Sequence, residues 1–136
     1  MIRGRFAFRL PGGAQATAIG GPFDALPSGV FSVCLEERAE KAWLADILLP
    51  TPDFGVPDPA ALRDAVAHAL AALEAEPSRP IFVGCRAGIG RTGLFLGCLL
   101  RAAGLEGDPV AELRRLYHPR AAETPEQEAA IRGFLP

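Results

Sequence analysis

An α/β fold, a single three-layer sandwich with a small, partly parallel central sheet flanked by helices, is what this chain of 136 residues predicts. Three observations carry that expectation. Residues 80–84 form a short, β-rich and apolar run of the kind that fills a buried strand, and an almost wholly apolar helical segment stands close behind it. Along the chain, strands first alternate with helices and helices then finish it. At 49% hydrophobic content the chain can bury one sizeable core and has no room for two, so residues 1–136 are expected to form one domain.

Each element has its own signal. Residues 5–9 read as an edge strand before the Pro11-Gly12-Gly13 break, and residues 30–35 as a β-branched and apolar strand set off by Pro27 and Gly29. A third strand is expected over 43–49. Asp58 before Pro59 combines a capping side chain with a first-turn proline, and Leu62, Val66, Ala69, Leu70 and Leu73 then make one apolar helical stripe. Residues 80–84 should be the central strand. The helix from Arg91 is apolar on nearly every side through Leu94, Phe95, Leu96, Cys98, Leu99 and Leu100, and Gly104 ends it. Asp108-Pro109 opens a further helix carrying Leu113 and Leu116, and Thr124-Pro125, with Gln127 and Glu128, opens the last.

Composition narrows the function classes. A net charge of −2 and a pI near 5.7 lack the basic field that nucleic-acid binding uses, so no nucleic-acid partner is expected. Of the 14 basic residues only Lys41 is a lysine, and guanidinium forks suit fixed oxyanions. Cysteines at 34, 85 and 98 fit neither a paired disulfide framework nor metal-ligand spacing, which points to a reducing, cytoplasmic setting with no metal or cofactor. The start of the chain has no apolar stretch suited to a signal peptide. The longest strongly apolar run, 94–100, is far short of a membrane span.

The chemistry concentrates in Cys85-Arg86-Ala87-Gly88-Ile89-Gly90-Arg91-Thr92-Gly93, between the expected central strand and the buried helix. Glycines at 88 and 90 let successive backbone amides turn inward as a nest, the helix N-terminus adds partial positive charge, and Arg91 can grip two oxyanion oxygens. Such a cradle, built from Arg86, Ala87, Gly88, Ile89, Gly90 and Arg91, binds phosphate. Cys85 at its mouth feels the same field, which favours thiolate over thiol and makes it a nucleophile aimed at phosphorus.

Cys85, five residues, then Arg91-Thr92 resembles the signature loop of the cysteine-dependent protein tyrosine phosphatase superfamily, and residues 87–93 are most similar to its dual-specificity branch. The resemblance runs from about residue 30 to 135 and implies a hydrolase of phosphomonoesters, with phosphotyrosine in proteins as the expected substrate and phosphoserine or phosphothreonine beside it. Pro50-Thr51-Pro52-Asp53-Phe54-Gly55-Val56-Pro57 resembles the family's mobile acid loop, with Asp53 in the place of the general acid. Asp58 is the rival, although its place before Pro59 marks it as a helix cap. Thr92 stands where the family keeps a hydroxyl that helps the thiolate depart, and Gln127, in Glu123-Thr124-Pro125-Glu126-Gln127, where a glutamine orients the hydrolytic water.

Some residues have a plainer alternative. Cys34 matches a place where family members can carry a second, protective cysteine, yet a strand cysteine is usually apolar filler, as Cys98 is expected to be. His68 and His118 are read as solvated side chains, and Trp43 and Tyr117 as core anchors. The family normally has a histidine directly before the nucleophile, hydrogen-bonded to backbone near the loop. Here Gly84 takes that position. Two alternatives therefore stay open: a phosphate-reading domain with weak or no turnover, and a phosphatase of small molecules or phosphoinositides. Lipid-directed loops of the family often place lysines between cysteine and arginine, whereas this loop has only Arg86.

Overall fold

The computed structural model describes residues 1–136. Strand β1 (Gly4–Arg9) follows a period of two, with Phe6 and Phe8 buried and Arg5, Ala7 and Arg9 exposed. A turn closed by the Gly13 amide on the Leu10 carbonyl (2.9 Å) leads into β2 (Gln15–Pro22), which pairs antiparallel with β1 from Gly4 opposite Gly20 to Arg9 opposite Gln15. Sequence reasoning did not anticipate β2. Its alanines and glycines have little strand preference, and burial between neighbours decides its conformation instead.

The sheet has the order β1-β2-β5-β3-β4, where β3 is Phe31–Cys34, β4 is Ile47–Leu48 and β5 is Ile81–Cys85. All pairings beyond β1 are parallel, and β5 lies in the middle. The strand expected over 43–49 is largely corrected. A 3-10 turn occupies Ala42–Leu44, and only two residues pair with β3. Asp46 explains the break, because its carboxylate accepts from the Ser32 amide at 2.8 Å and from the Ser32 hydroxyl at 3.2 Å, so a side chain takes the place of ladder pairing. Trp43 is 80% exposed and is no core anchor; Tyr117 is buried.

Helix α1 (Pro59–Ala75) begins with the Asp58 carboxylate accepting from the Ala61 amide at 3.0 Å, and it buries Leu62, Ala65, Val66, Ala69 and Leu73. His68 lies on its exposed side, with its ring edge-on to Phe31 at 5.5 Å. Helix α2 (Gly90–Ala102) is buried without interruption from Gly90 to Leu100, since α1, α3 (Pro109–Leu116), α4 (Pro125–Arg132) and the sheet surround it. Asp108 and Thr124 cap α3 and α4 by accepting from the Val110 and Gln127 amides.

All four α-helices cover one face of the sheet, and the large core joins Phe6, Phe31, Val33, Ile81 and Val83 of the strands to helix residues such as Val66 of α1 and Phe95 of α2. The other face is covered by the 3-10 turns Phe23–Ala25 and Ala42–Leu44, over a small cluster of Ile19, Phe23, Cys34, Ala42 and Phe82. Each large apolar side chain sealed in these layers contributes about 1.5–3 kcal/mol. Together they fix the end of β5 against the start of α2, which is where the candidate loop sits. No helix is long and apolar enough to cross a membrane.

Candidate active site

The central strand delivers Cys85 to the C-terminal edge of the parallel sheet, where the chain turns directly into α2. Cys85 is 3% exposed, and its Sγ receives hydrogen bonds from the Gly88 amide and from Thr92 Oγ1, each at 3.2 Å. Gly88 has φ +78° and lies so close to the Gly21 backbone that a Cβ has no room. That left-handed conformation lets consecutive amides face one side. Gly88, Ile89 and Gly90 are buried, whereas Arg86 and Ala87 are exposed.

Arg91 is also 3% exposed and is held from several directions. Nη1 donates to the Thr51 carbonyl at 2.9 Å and to the Leu35 carbonyl at 3.4 Å, while Nη2 lies 3.3 Å from Glu36 Oε1 and 3.6 Å from Asp53 Oδ1. Nε is buried without a protein partner, the one buried side-chain nitrogen or oxygen in that position. An unpaired guanidinium N–H is unfavourable in such surroundings, and a bound oxyanion satisfies it.

Glu36 was missed from the sequence. It is buried, and its second oxygen accepts from the Arg38 amide at 2.9 Å and from Arg38 Nε at 3.3 Å. Burial pulls its carboxyl upward, but the bonds from Arg38 and the neighbouring Arg91 guanidinium outweigh this and hold it below the ordinary carboxylate value. The available signal was an acidic side chain directly after a buried strand.

The segment carrying Asp53 is clasped at both ends. Thr51 gives its carbonyl to Arg91, and the Gly55 carbonyl accepts from Gln127 Nε2 at 3.0 Å. Between them the Gly55 amide closes a turn on the Pro52 carbonyl at 2.9 Å, Phe54 adopts φ +61°, and Asp53 Oδ1 accepts from the Phe54 amide at 3.0 Å. The Asp53 side chain is 52% exposed. Gln127 is fully buried, with Oε1 accepting from the Glu123 amide at 2.8 Å. Asp58 is engaged as the α1 cap.

Cys34 is buried on the face with Phe23 and Phe82, and its Cα lies opposite that of Gly84. Its thiol donates to the Glu36 carbonyl at 3.1 Å, and burial pushes it up to about 11. Cys98 is pushed up to about 12, again by burial, inside the α2 core. All three cysteines are free.

Residues 28–132 match the family described as PTP-SAK, "Swiss Army Knife protein, DSP-PTPase phosphatase domain". The chain belongs to this family of cysteine-based phosphatase domains. No curated protein sequence matches it. Among solved structures, kinase associated phosphatase (KAP) is similar over 98% of this chain and 94% of its own, at 15% identity and a TM-score of 0.71. Tk-PTP in its active form is similar over 88% and 90%, at 22% identity and a TM-score of 0.68. TpbA of P. aeruginosa follows at 24% identity over 85% and 79%, with a TM-score of 0.59. These likenesses establish the shared fold.

Within this phosphatase domain, Gly84 is close-packed rather than loose. A Cβ there would lie 2.7 Å from Phe23 Cα and 2.9 Å from Phe23 Cβ, so the backbone of the first 3-10 turn occupies the space of a side chain. The Gly84 carbonyl accepts from the Leu35 amide at 2.8 Å. A histidine ring at this position would require the backbone of the first 3-10 turn to shift.

Proposed function

We propose that the chain hydrolyses phosphomonoesters through a cysteinyl-phosphate, acting on phosphotyrosine in proteins and also on phosphoserine and phosphothreonine. The Cys85 thiolate attacks phosphorus; the S–P bond forms as the bond to the leaving oxygen breaks, and Asp53 gives that oxygen its proton. Water placed by Gln127 and deprotonated by Asp53 then attacks phosphorus. The S–P bond breaks, inorganic phosphate leaves, and the Thr92 hydroxyl stabilises the departing thiolate. Arg91 and the amides of residues 86–91 hold the equatorial oxygens.

The observation that carries this reading is the buried, unpartnered Nε of Arg91 on the residue that follows the amide nest. Gln127 Nε2 keeps a second N–H beside the one on the Gly55 carbonyl, so it can orient water while the Asp53 segment stays clasped. Around the nucleophile, Asp24 and Glu40 stand against Arg38 and Arg86, and buried Glu36 is paired with Arg91, a nearly neutral rim with little attraction for polyanionic inositol phosphates. That balance supports a protein substrate. The close packing of Gly84 against Phe23 argues against a loosened, merely phosphate-reading loop. Reliance on a thiol nucleophile supports a reducing, cytoplasmic setting.

Turnover of an aryl phosphate and of a phosphotyrosine peptide, measured in the native chain and in Cys85→Ser, tests the reading. Turnover in the native chain alone is the expected result. Near-normal turnover in the serine variant, or none in the native chain, overturns it.

A further inference from the structure

Two side chains hold the outer side of the phosphate loop, and neither has a part in the chemistry above. Arg3 Nε donates to the Ala87 carbonyl at 3.0 Å, and the Tyr117 hydroxyl donates to the Gly88 carbonyl. Both come from outside the loop's own strand and helix. Arg3 is anchored by its amide on the Gly20 carbonyl at 2.8 Å, and Tyr117, at the end of α3, is 7% exposed. Space for the tyrosine ring is made by glycine: a Cβ at Gly4 would lie 2.7 Å from Tyr117 Cδ1, and one at Gly20 would meet the ring and its hydroxyl.

A trans peptide points its carbonyl and its amide in opposite directions, and this chain has no cis peptide. Holding the Ala87 carbonyl outward therefore sends the Gly88 amide inward, where it meets Cys85 Sγ at 3.2 Å. Holding the Gly88 carbonyl outward likewise sends the Ile89 amide inward. Gly88, at φ +78°, lacks the Cβ that would resist rotation of these two peptide planes.

We propose that Arg3 and Tyr117 are positioning residues, an external clamp on two successive carbonyls that keeps the nest turned toward Cys85 and the bound phosphoryl group. Gly84 leaves the strand side of the loop without a side-chain anchor, and the clamp supplies anchoring from the other side. The inference rests on the reading of residues 85–91 as an oxyanion cradle.

The test uses Tyr117→Phe, which keeps the ring, and Arg3→Met, which keeps the stem at a position outside the core. Tungstate affinity and the pH profile of Cys85 alkylation by iodoacetamide are measured in each variant and in the native chain. Each lost bond should weaken tungstate binding by about fivefold. Arg3→Met should also move the alkylation profile toward higher pH, because the Gly88 amide that it releases donates to sulfur, and an amide that no longer donates no longer favours thiolate. For Arg3→Met the effect should persist in about 0.5 M salt, where a through-space effect of the lost charge is screened. Variants with native affinity and native profiles overturn the clamp while leaving the cradle intact. A native chain that binds no tungstate overturns both.

Discussion

Glu36 Oε1 lies 3.3 Å from Nη2 of Arg91, and both side chains are almost sealed from solvent. A buried pair of this kind adds little net stability over an apolar substitute, but removing one partner strands the other charge. Its value here is geometric. With Nη1 on Thr51 and Nη2 beside Glu36, the guanidinium plane is set before substrate arrives. Glu36→Gln should therefore lower kcat/KM for an aryl phosphate by up to about 10²-fold, the scale of a small misplacement of a reacting group. Steady-state kinetics check this; a variant with native kinetics would remove Glu36 from the account.

The same pair has a pH signature. Because the folded-state value of Glu36 is lowered, its contribution to stability is fully present above the ordinary value of 4.5 and is lost as pH falls through the lowered value. The stability difference between the native chain and Glu36→Gln should stay constant above pH 4.5 and shrink as pH falls below it. Chemical denaturation across acid pH measures it. A pH-independent difference would contradict the pairing.

The two aspartates should separate cleanly. Asp53→Ala should slow hydrolysis of substrates with basic leaving groups strongly and of activated aryl phosphates little, since the acid matters only when the leaving oxygen needs a proton. Asp58→Ala should lose about 1 kcal/mol of stability with its capping bond to Ala61, while keeping native leaving-group dependence. The reverse pattern would exchange their roles.

Gly84 should tolerate no side chain. With Phe23 Cα 2.7 Å from the place of a Cβ, Gly84→Ala should destabilise by about 1–3 kcal/mol, as overpacking does, and Gly84→His should do so more severely. Thermal unfolding tests this. A stable Gly84→His variant would show that the 3-10 turn can yield.

For Cys34, a protective disulfide with Cys85 after peroxide treatment should form slowly at neutral pH and faster as pH rises, because thiolate is the attacking form and burial pushes this thiol up to about 11. Peptide mapping at graded pH decides it. Recovery by thiol that is the same in Cys34→Ser would leave Cys34 as core filler.

What could be read from the sequence was what is local in it. Residues 85–93 carry glycine conformation, amide nest and helix start in one stretch, and Asp58, Asp108 and Thr124 announce their helices by capping. Contacts that depend on distant partners could not be read in this way: Glu36 meets Arg91 across 55 positions, Tyr117 meets Gly88 across 29 and Arg3 meets Ala87 across 84. β2 escaped for a related reason. Its Gly20 and Gly21 look like breakers, and only the close approach of Tyr117 to Gly20 and of the Met1 carbonyl to Gly21 explains them. Trp43 misled because aromatic character predicts burial on average, while the Asp46 bridge to Ser32 ends the edge strand beyond it.

The proposed reaction turns on a covalent bond between Cys85 and phosphorus. Rapid acid quench of the Gln127→Ala variant during turnover of an aryl phosphate, followed by mass analysis of the peptide containing Cys85, tests it most directly. A single phosphate on Cys85, accumulating when water is poorly placed and absent from Cys85→Ser, is the expected result. Continued turnover with no phosphate on Cys85 at any quench time would contradict it.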